Sequence, residues 1–149
     1  VLTSSAASDV YKRQGIATID KDLSMVAGCH YNWNKDKRFM VSPEEGLVFF
    51  YKQMLTGDTA DNIPGLFRMV GKKAMPKVVE PLHHFNTEWD MYEYVRDVYM
   101  QGYEDVGMCL DEADAVVDGW LHSIGTQLWM DVKGEHEWQP PRNPNLSAE

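Results

Sequence analysis

The sequence predicts an α/β fold that is mostly helical, and three observations carry that reading. A short β-prone run, Ile16-Ala17-Thr18-Ile19, ends at an aspartate, and open α/β sheets place ligands at such strand ends. A strong helix start at Ser42 is followed by an apolar stripe at helical spacing. Two later stretches, from Thr87 and from Asp111, repeat that spacing over several turns.

Along the chain, Asn32 to Lys37 is polar and turn-like, and Arg38-Phe39-Met40-Val41 reads as a second short strand. Ser42-Pro43-Glu44-Glu45 has Ser at the N-cap, Pro at the first helical position and Glu three residues after the cap. Leu47, Phe50, Tyr51, Met54 and Leu55 then form a buried face, and Gly57 stops the helix. Ile63 to Glu80 reads as a short helix, a turn at Gly71, and a second helix started or interrupted by Pro76. Thr87 is expected to cap a helix running to about Tyr99 that buries Met91, Val95 and Val98 or Tyr99, with Gly102 as terminator. Asp111 is expected to cap a last long helix with Val116, Val117, Trp120, Leu121, Ile124 and Leu128 on one face. Gly119 and Gly125 inside that helix each cost up to about 1 kcal/mol relative to Ala. Pro140-Pro141-Arg142-Asn143-Pro144 ends the ordered chain, leaving residues 140–149 as a disordered tail.

At 149 residues, 44% hydrophobic and 25% charged, the composition is that of a globular protein. No apolar run approaches the roughly 20 residues of a membrane span. Cys29 and Cys109 are far apart and outside any CxxC spacing, which argues against disulfides or zinc and for a reducing cytoplasm. Fourteen basic against 23 acidic residues, net −9, argue against a broad DNA-binding surface. The distribution softens that conflict, because Arg68, Lys72, Lys73 and Lys77 are concentrated in one segment.

Two acidic signatures carry the chemistry: Ile19-Asp20-Lys21-Asp22-Leu23 and Gly57-Asp58-Thr59-Ala60-Asp61-Asn62-Ile63-Pro64-Gly65. Clustered carboxylates repel one another unless a cation neutralises them. Oxygen-rich, cysteine-free clusters suit hard ions such as Mg²⁺ or Mn²⁺, which points toward phosphate chemistry. The bland readings are a solvated loop for Asp20-Lys21-Asp22 and helix capping for Asp61 ahead of Ile63-Pro64. His83-His84 are adjacent and cannot share one helical face, so they are not read as ligands. Trp89, Trp120 and Trp129 are read as core anchors, Glu135-His136-Glu137 as a solvated segment, and Trp33 as an aromatic left over in a polar loop.

Asp-Lys-Asp-Leu at a strand end, followed by Gly-Asp-x-x-Asp-Asn-Ile-Pro-Gly, resembles the 5′-nuclease family: phage 5′→3′ exonucleases, flap endonucleases and the nuclease domain of some bacterial DNA polymerases. The resemblance runs from Gly15 to the Trp138 region, covers only the family's C-terminal half, and is nearest the phage branch through Gly28-Cys29-His30-Tyr31-Asn32-Trp33. It implies the end of a PIN-like, Rossmann-like nuclease domain over residues 15–57 and a helix–three-turn–helix domain over 58–139. It implies hydrolysis of DNA phosphodiesters by a two-metal mechanism in phage-type replication or repair, with Mg²⁺ or Mn²⁺ as cofactor. Asp20 and Asp22 match the family's third acidic pair and Asp58 and Asp61 its last, mainly around the second metal. Lys21 does not match the family's catalytic lysine. Gly65, Arg68, Gly71, Lys72, Lys73 and Lys77 are the implied DNA contacts, with K⁺ at the hairpin as a further cofactor. The usual Gly-Ile-Gly of that hairpin is replaced by Arg68-Met69-Val70, with Gly71 one position late.

The implied partners are DNA 5′ ends, flaps or duplex, or an RNA–DNA hybrid, with no membrane and a monomeric full-length protein in the cytoplasm, of a host if phage-encoded. Residues 1–14, ending Asp9-Val10-Tyr11-Lys12-Arg13-Gln14, look like a translated sequencing adapter and are expected to be foreign and disordered. With the acidic residues that hold the first metal missing, the fragment alone is expected to be inactive. The alternatives are a non-catalytic helix-hairpin DNA-binding module and an acidic helical protein that binds Ca²⁺ or a protein partner. The second of these lacks an EF-hand loop.

Overall fold

The computed structural model describes residues 15–130 and 137–146, apart from the side chains of Phe67 and Arg68. The adapter-like residues 1–14, Glu135-His136, the last three residues of the tail and the Arg68 side chain therefore lie outside the described residues. The chain is mixed α/β and divides into two compact units, Val1–Gly46 and Leu47–Glu149. That division falls inside a helix.

The first unit holds one three-stranded sheet. Strand β1 (Gly15–Ala17) pairs in parallel with β2 (Gly28–Asn32), and β2 pairs antiparallel with β3 (Lys37–Val41) through the turn at residues 33–36. Strand β1 stops before Ile19, which is 51% exposed, so the strand end expected at Asp20 comes three residues early. The residues between β1 and β2 instead form a turn and a short 3₁₀ helix, Asp22–Met25. Met25 and Val41 are buried there, and His30 is 1% exposed. The His30 ring stacks on Phe39 at 5.2 Å, and its Nε2 lies 2.7 Å from the Val26 carbonyl oxygen, which accounts for a buried imidazole in an otherwise thin unit.

Helix α1 (Pro43–Thr56) begins with a reciprocal cap. The Glu45 amide donates to Ser42 Oγ at 3.1 Å and the Ser42 amide donates to Glu45 Oε2 at 2.8 Å. Its stripe of Phe50, Tyr51, Met54 and Leu55 is fully buried and forms the centre of the second unit. Each buried Leu, Phe or Met of this kind contributes about 1.5–3 kcal/mol. After the short strands β4 (Gly57–Asp58) and β5 (Ile63–Pro64) come helices α2 (Phe67–Val70) and α3 (Met75–Val79), then a 3₁₀ turn, Glu80–His84.

Helices α4 (Glu88–Asp105) and α5 (Leu110–Leu128) pack against each other as an antiparallel-connected pair. Thr87 caps α4, its hydroxyl oxygen accepting the Asp90 amide at 3.1 Å. The helix does not stop at Gly102, which is buried within it against Leu66 and Met69. It stops at Gly107, whose φ of +92° lets its amide reach the Glu104 carbonyl at 2.8 Å while the Met108 amide reaches Tyr103 at 3.0 Å. The N-cap of α5 is Cys109 without a side-chain bond, so Asp111 is an acidic residue of the first turn rather than the cap. The buried face is Ala113, Val117, Leu121, Ile124 and Leu128; Val116 is 45% exposed, and Trp120 is only half-buried.

Arg96 of α4 joins the two helices by donating to Asp114 at 2.6 Å and Asp118 at 2.8 Å. Trp138, just ahead of residues 140–149 expected as a disordered tail, is buried against Phe50, Tyr92 and His122. Beyond it, Asn143 closes a turn by accepting the Asn145 amide at 2.8 Å and the Leu146 amide at 3.2 Å. No described helix is long and apolar enough to cross a membrane.

Several phenols are held in their neutral form by this packing. Burial, with the Asp118 carboxylate nearby, pushes Tyr92 up to about 12, and burial beside Glu88 pushes Tyr51 up as well. Unfolded phenols ionise near about 10, so the unfolded chain loses these protons first and stability falls as pH rises from about 10 toward 12. The urea midpoint should fall over that interval, and Tyr92→Phe should reduce its slope against pH. A midpoint unchanged across the interval would show that these phenols are not held by the fold.

Candidate functional site

Each acidic signature is shaped by its own unit. In the first, the Asp20 amide donates to Thr18 Oγ1 at 2.9 Å, and Asp20 Oδ1 accepts the Asp22 amide at 2.9 Å. That Asx turn launches the 3₁₀ helix, where the Ser24 amide returns to the Lys21 carbonyl at 3.0 Å. Lys21 Nζ lies 3.5 Å from Asp22 Oδ1. Both sides of the turn are further held at the helix α1 start. A Cβ at Gly46 would overlap the Met25 carbonyl, so only glycine lets α1 begin so close to the end of the 3₁₀ helix.

In the second unit, β4 and β5 make a two-rung hairpin, with Gly57 opposite Pro64 and Asp58 opposite Ile63. Thr59 to Asn62 form its turn, closed by Asn62 at φ +56°, a left-handed position that asparagine tolerates. At the hairpin's base two backbones nearly touch. A Cβ on Gly65 would overlap the Thr56 carbonyl carbon and the Gly57 amide nitrogen, and Gly57 itself sits at φ +71°. The Leu66 amide donates to the Leu55 carbonyl at 2.9 Å, fastening the returning chain to the end of α1.

This clamp buries Asp58, which is 3% exposed, while Asp61 on the turn stays exposed. Asp58 Oδ1 accepts the Ala60 amide at 2.8 Å, folding the turn back over the carboxylate. Asp58 and Asp61 each offer a carboxylate oxygen within 4.8 Å of the other. Two anions that close, one of them shielded from water, favour a shared cation. Asp61 caps no helix: the next one starts at Phe67. The three-residue spacing instead serves to point both carboxylates to one side of a tight turn.

A cavity of about 570 Å³ lies here, lined by Thr56, Asp58, Thr59, Asn62, Gly65 and Lys72 among others. Of the residues read as DNA contacts, the structure brings Gly65 and Lys72 to this cavity. Lys73 and Lys77 are exposed elsewhere on the same segment, one helical turn apart in sequence. Gly71 has φ +84°, and its carbonyl accepts both the Ala74 and Met75 amides at 3.2 Å. His84 is paired with Glu80 at 2.8 Å. Trp129 packs edge-on to Phe50 at 5.0 Å as a core anchor. Trp33 is 51% exposed. The hydroxyls of Thr56 and Thr59 and the Asn62 amide were missed as lining groups, although their places inside and beside the second signature could have singled them out.

Comparison with known proteins finds no matching family model, no matching curated protein and no matching solved structure.

The clamp at the hairpin's base makes a direct prediction. Gly65→Ala should destabilise the chain by about 2 kcal/mol or more, because backbone atoms rather than a flexible side chain stand where the methyl group must go. Gly119→Ala, whose site is open, should be neutral to stabilising. Urea midpoints measure both, and a Gly65→Ala protein as stable as the parent would remove the clamp.

Proposed function

We propose that this chain carries part of the catalytic site of a 5′→3′ exonuclease or flap endonuclease, hydrolysing DNA phosphodiesters with two Mg²⁺ or Mn²⁺ ions. The observation that supports it best is the close pair of carboxylates on Asp58 and Asp61, with Asp58 and Lys72 lining one cavity. The donor set fits hard cations: carboxylate oxygens with hydroxyl and amide oxygens around them, and no thiolate or imidazole. Asp58 and Asp61 are the ligands in the second unit, and Asp20 and Asp22 are assigned as the remaining ligands this chain contributes. Cations held there would neutralise charge on the phosphodiester and on the departing oxygen, at the separation of about 3.5–4 Å usual for paired sites.

The chain's own residues do the rest. Asp58, fixed by the Gly57–Gly65 clamp and the Ala60 amide, sets the position of the cation without a side-chain rearrangement. Lys72 provides the positive charge that draws a phosphodiester into a cavity otherwise lined by an anion and neutral groups. Lys73 and Lys77, with Arg68 of the same segment, would extend that contact along duplex phosphates.

Calorimetry with Mn²⁺ tests the ligands. Asp58→Asn and Asp61→Asn should each weaken binding by more than the roughly tenfold loss typical of outer-shell changes, with helical circular dichroism unchanged. Equal binding by the parent and the double variant would overturn the metal assignment.

The DNA contacts have a separate signature. Affinity for duplex should be independent of sequence and fall steeply with salt, and Lys72→Ala with Lys73→Ala should lower the slope of log K against log salt by about 0.9 per lost contact. Mn²⁺ binding should survive that change. Salt-dependent duplex binding in a protein that binds no Mn²⁺ would favour the non-catalytic helix-hairpin reading instead.

A further inference from the structure

The first acidic signature is suspended between two bonds to neighbouring residues of β2. At its near end the Thr18 amide donates to the Tyr31 carbonyl at 3.0 Å, extending the parallel pairing of β1 past Ala17. At its far end the Val26 carbonyl lies 2.7 Å from His30 Nε2. A carbonyl oxygen only accepts, so Nε2 carries the proton of that bond. The imidazole is held to this partner because it is buried and stacked on Phe39, its cross-strand neighbour, at 5.2 Å.

Between those anchors the segment is tied by local bonds. The Asp20 amide donates to Thr18 Oγ1 and the Asp22 amide to Asp20 Oδ1, both at 2.9 Å. The Ser24 amide donates to the Lys21 carbonyl and the Val26 amide to the Leu23 carbonyl, both at 3.0 Å. A turn tied in this way moves as one piece, and its attachments to the sheet set its orientation. The Thr18 attachment is backbone to backbone, which any residue but proline supplies. Met25, buried with its carbonyl against Gly46, holds the far end by packing. The bond from His30 to Val26 gives that end a direction, and it depends on one side chain.

We propose that His30 is a positioning residue for the first acidic signature. Its Nε2–H fixes the Val26 carbonyl and thereby the direction in which the turn presents the Asp20 and Asp22 carboxylates. The role rests on the proposed reading of those aspartates as metal ligands, and it adds the group that sets their geometry. Histidine suits the task because a ring already held by stacking loses little further freedom when it donates. A glutamine at this position keeps an N–H donor of similar reach, and a phenylalanine keeps the stack without the donor. Partners that bond directly to metal ligands typically account for about 10–100-fold in affinity. His30 acts one attachment further out, so a several-fold effect is expected.

The test follows the backbone amide signals of the four aspartates in ¹⁵N-labelled full-length chain, titrated with Mn²⁺, whose paramagnetism broadens signals near a bound ion. The parent, His30→Phe and His30→Gln are compared, with circular dichroism as the check on folding. The Mn²⁺ concentration that half-broadens the Asp20 and Asp22 amides should rise several-fold in His30→Phe and return close to the parent value in His30→Gln. A histidine that only packs would not separate the two variants, so an equal loss in both overturns the role. An equal response in all three proteins overturns it too, as does broadening confined to Asp58 and Asp61; either result leaves the nuclease reading standing. If His30→Phe does not fold, His30→Gln decides alone: a parent-like response supports the role and a weakened one overturns it. A parent in which Mn²⁺ broadens none of the four amides removes the nuclease reading and the positioning role with it.

Discussion

The near-contact of two backbones at Gly57 and Gly65 is the constraint on which the candidate site depends. It brings the chain leaving α1 and the chain entering α2 closer than any side chain permits, with the Leu66-to-Leu55 hydrogen bond holding them at 2.9 Å. Three consequences follow from that one approach. The hairpin between them is forced to be short, Asp58 is turned into the interior, and the cavity that Asp58 lines also takes in Lys72. Burying a carboxylate is costly without compensation, so a clamp that buries Asp58 is stable only where amide donors or a cation offset the desolvation. The Ala60 amide supplies part of that. The proposed cation would add to that and would link metal binding to hairpin stability.

In the proposed site the Asp58 side of the cavity would offer oxygen donors to a cation, and Lys72 lines the same cavity. A lysine there is a flexible, strongly hydrated point charge, suited to attract a phosphodiester without fixing it bidentately. That is consistent with a strand that must move on after each cleavage in the proposed activity.

Elements governed by local rules were legible in the sequence. Ser42 with Glu45 and Thr87 with Asp90 form the expected caps because the partners lie within one turn, and Phe50, Tyr51, Met54 and Leu55 of the α1 stripe are buried where periodicity placed them, while Leu47 at its start is only half-buried. Elements decided by tertiary packing were not. Gly102 reads as a helix terminator until Leu66 and Met69 are seen to press against it, and Gly107, five residues later, holds the left-handed position instead. Val116 reads as core because it is apolar and adjacent to Val117, yet a face centred on Ala113, Val117 and Leu121 turns it outward. At the site, the spacing of Asp58 and Asp61 announced two neighbouring carboxylates, but nothing local distinguished the buried one from the exposed one. That difference comes from the glycine clamp, whose two partners are eight residues apart.

The most direct measurement is anomalous diffraction from crystals grown with Mn²⁺. The account expects a manganese peak bonded to carboxylate oxygens of both Asp58 and Asp61, inside the cavity that Lys72 lines. A cavity free of anomalous density at saturating Mn²⁺, with the Lys72 ammonium drawn in between the two aspartates as their counter-charge, would contradict it.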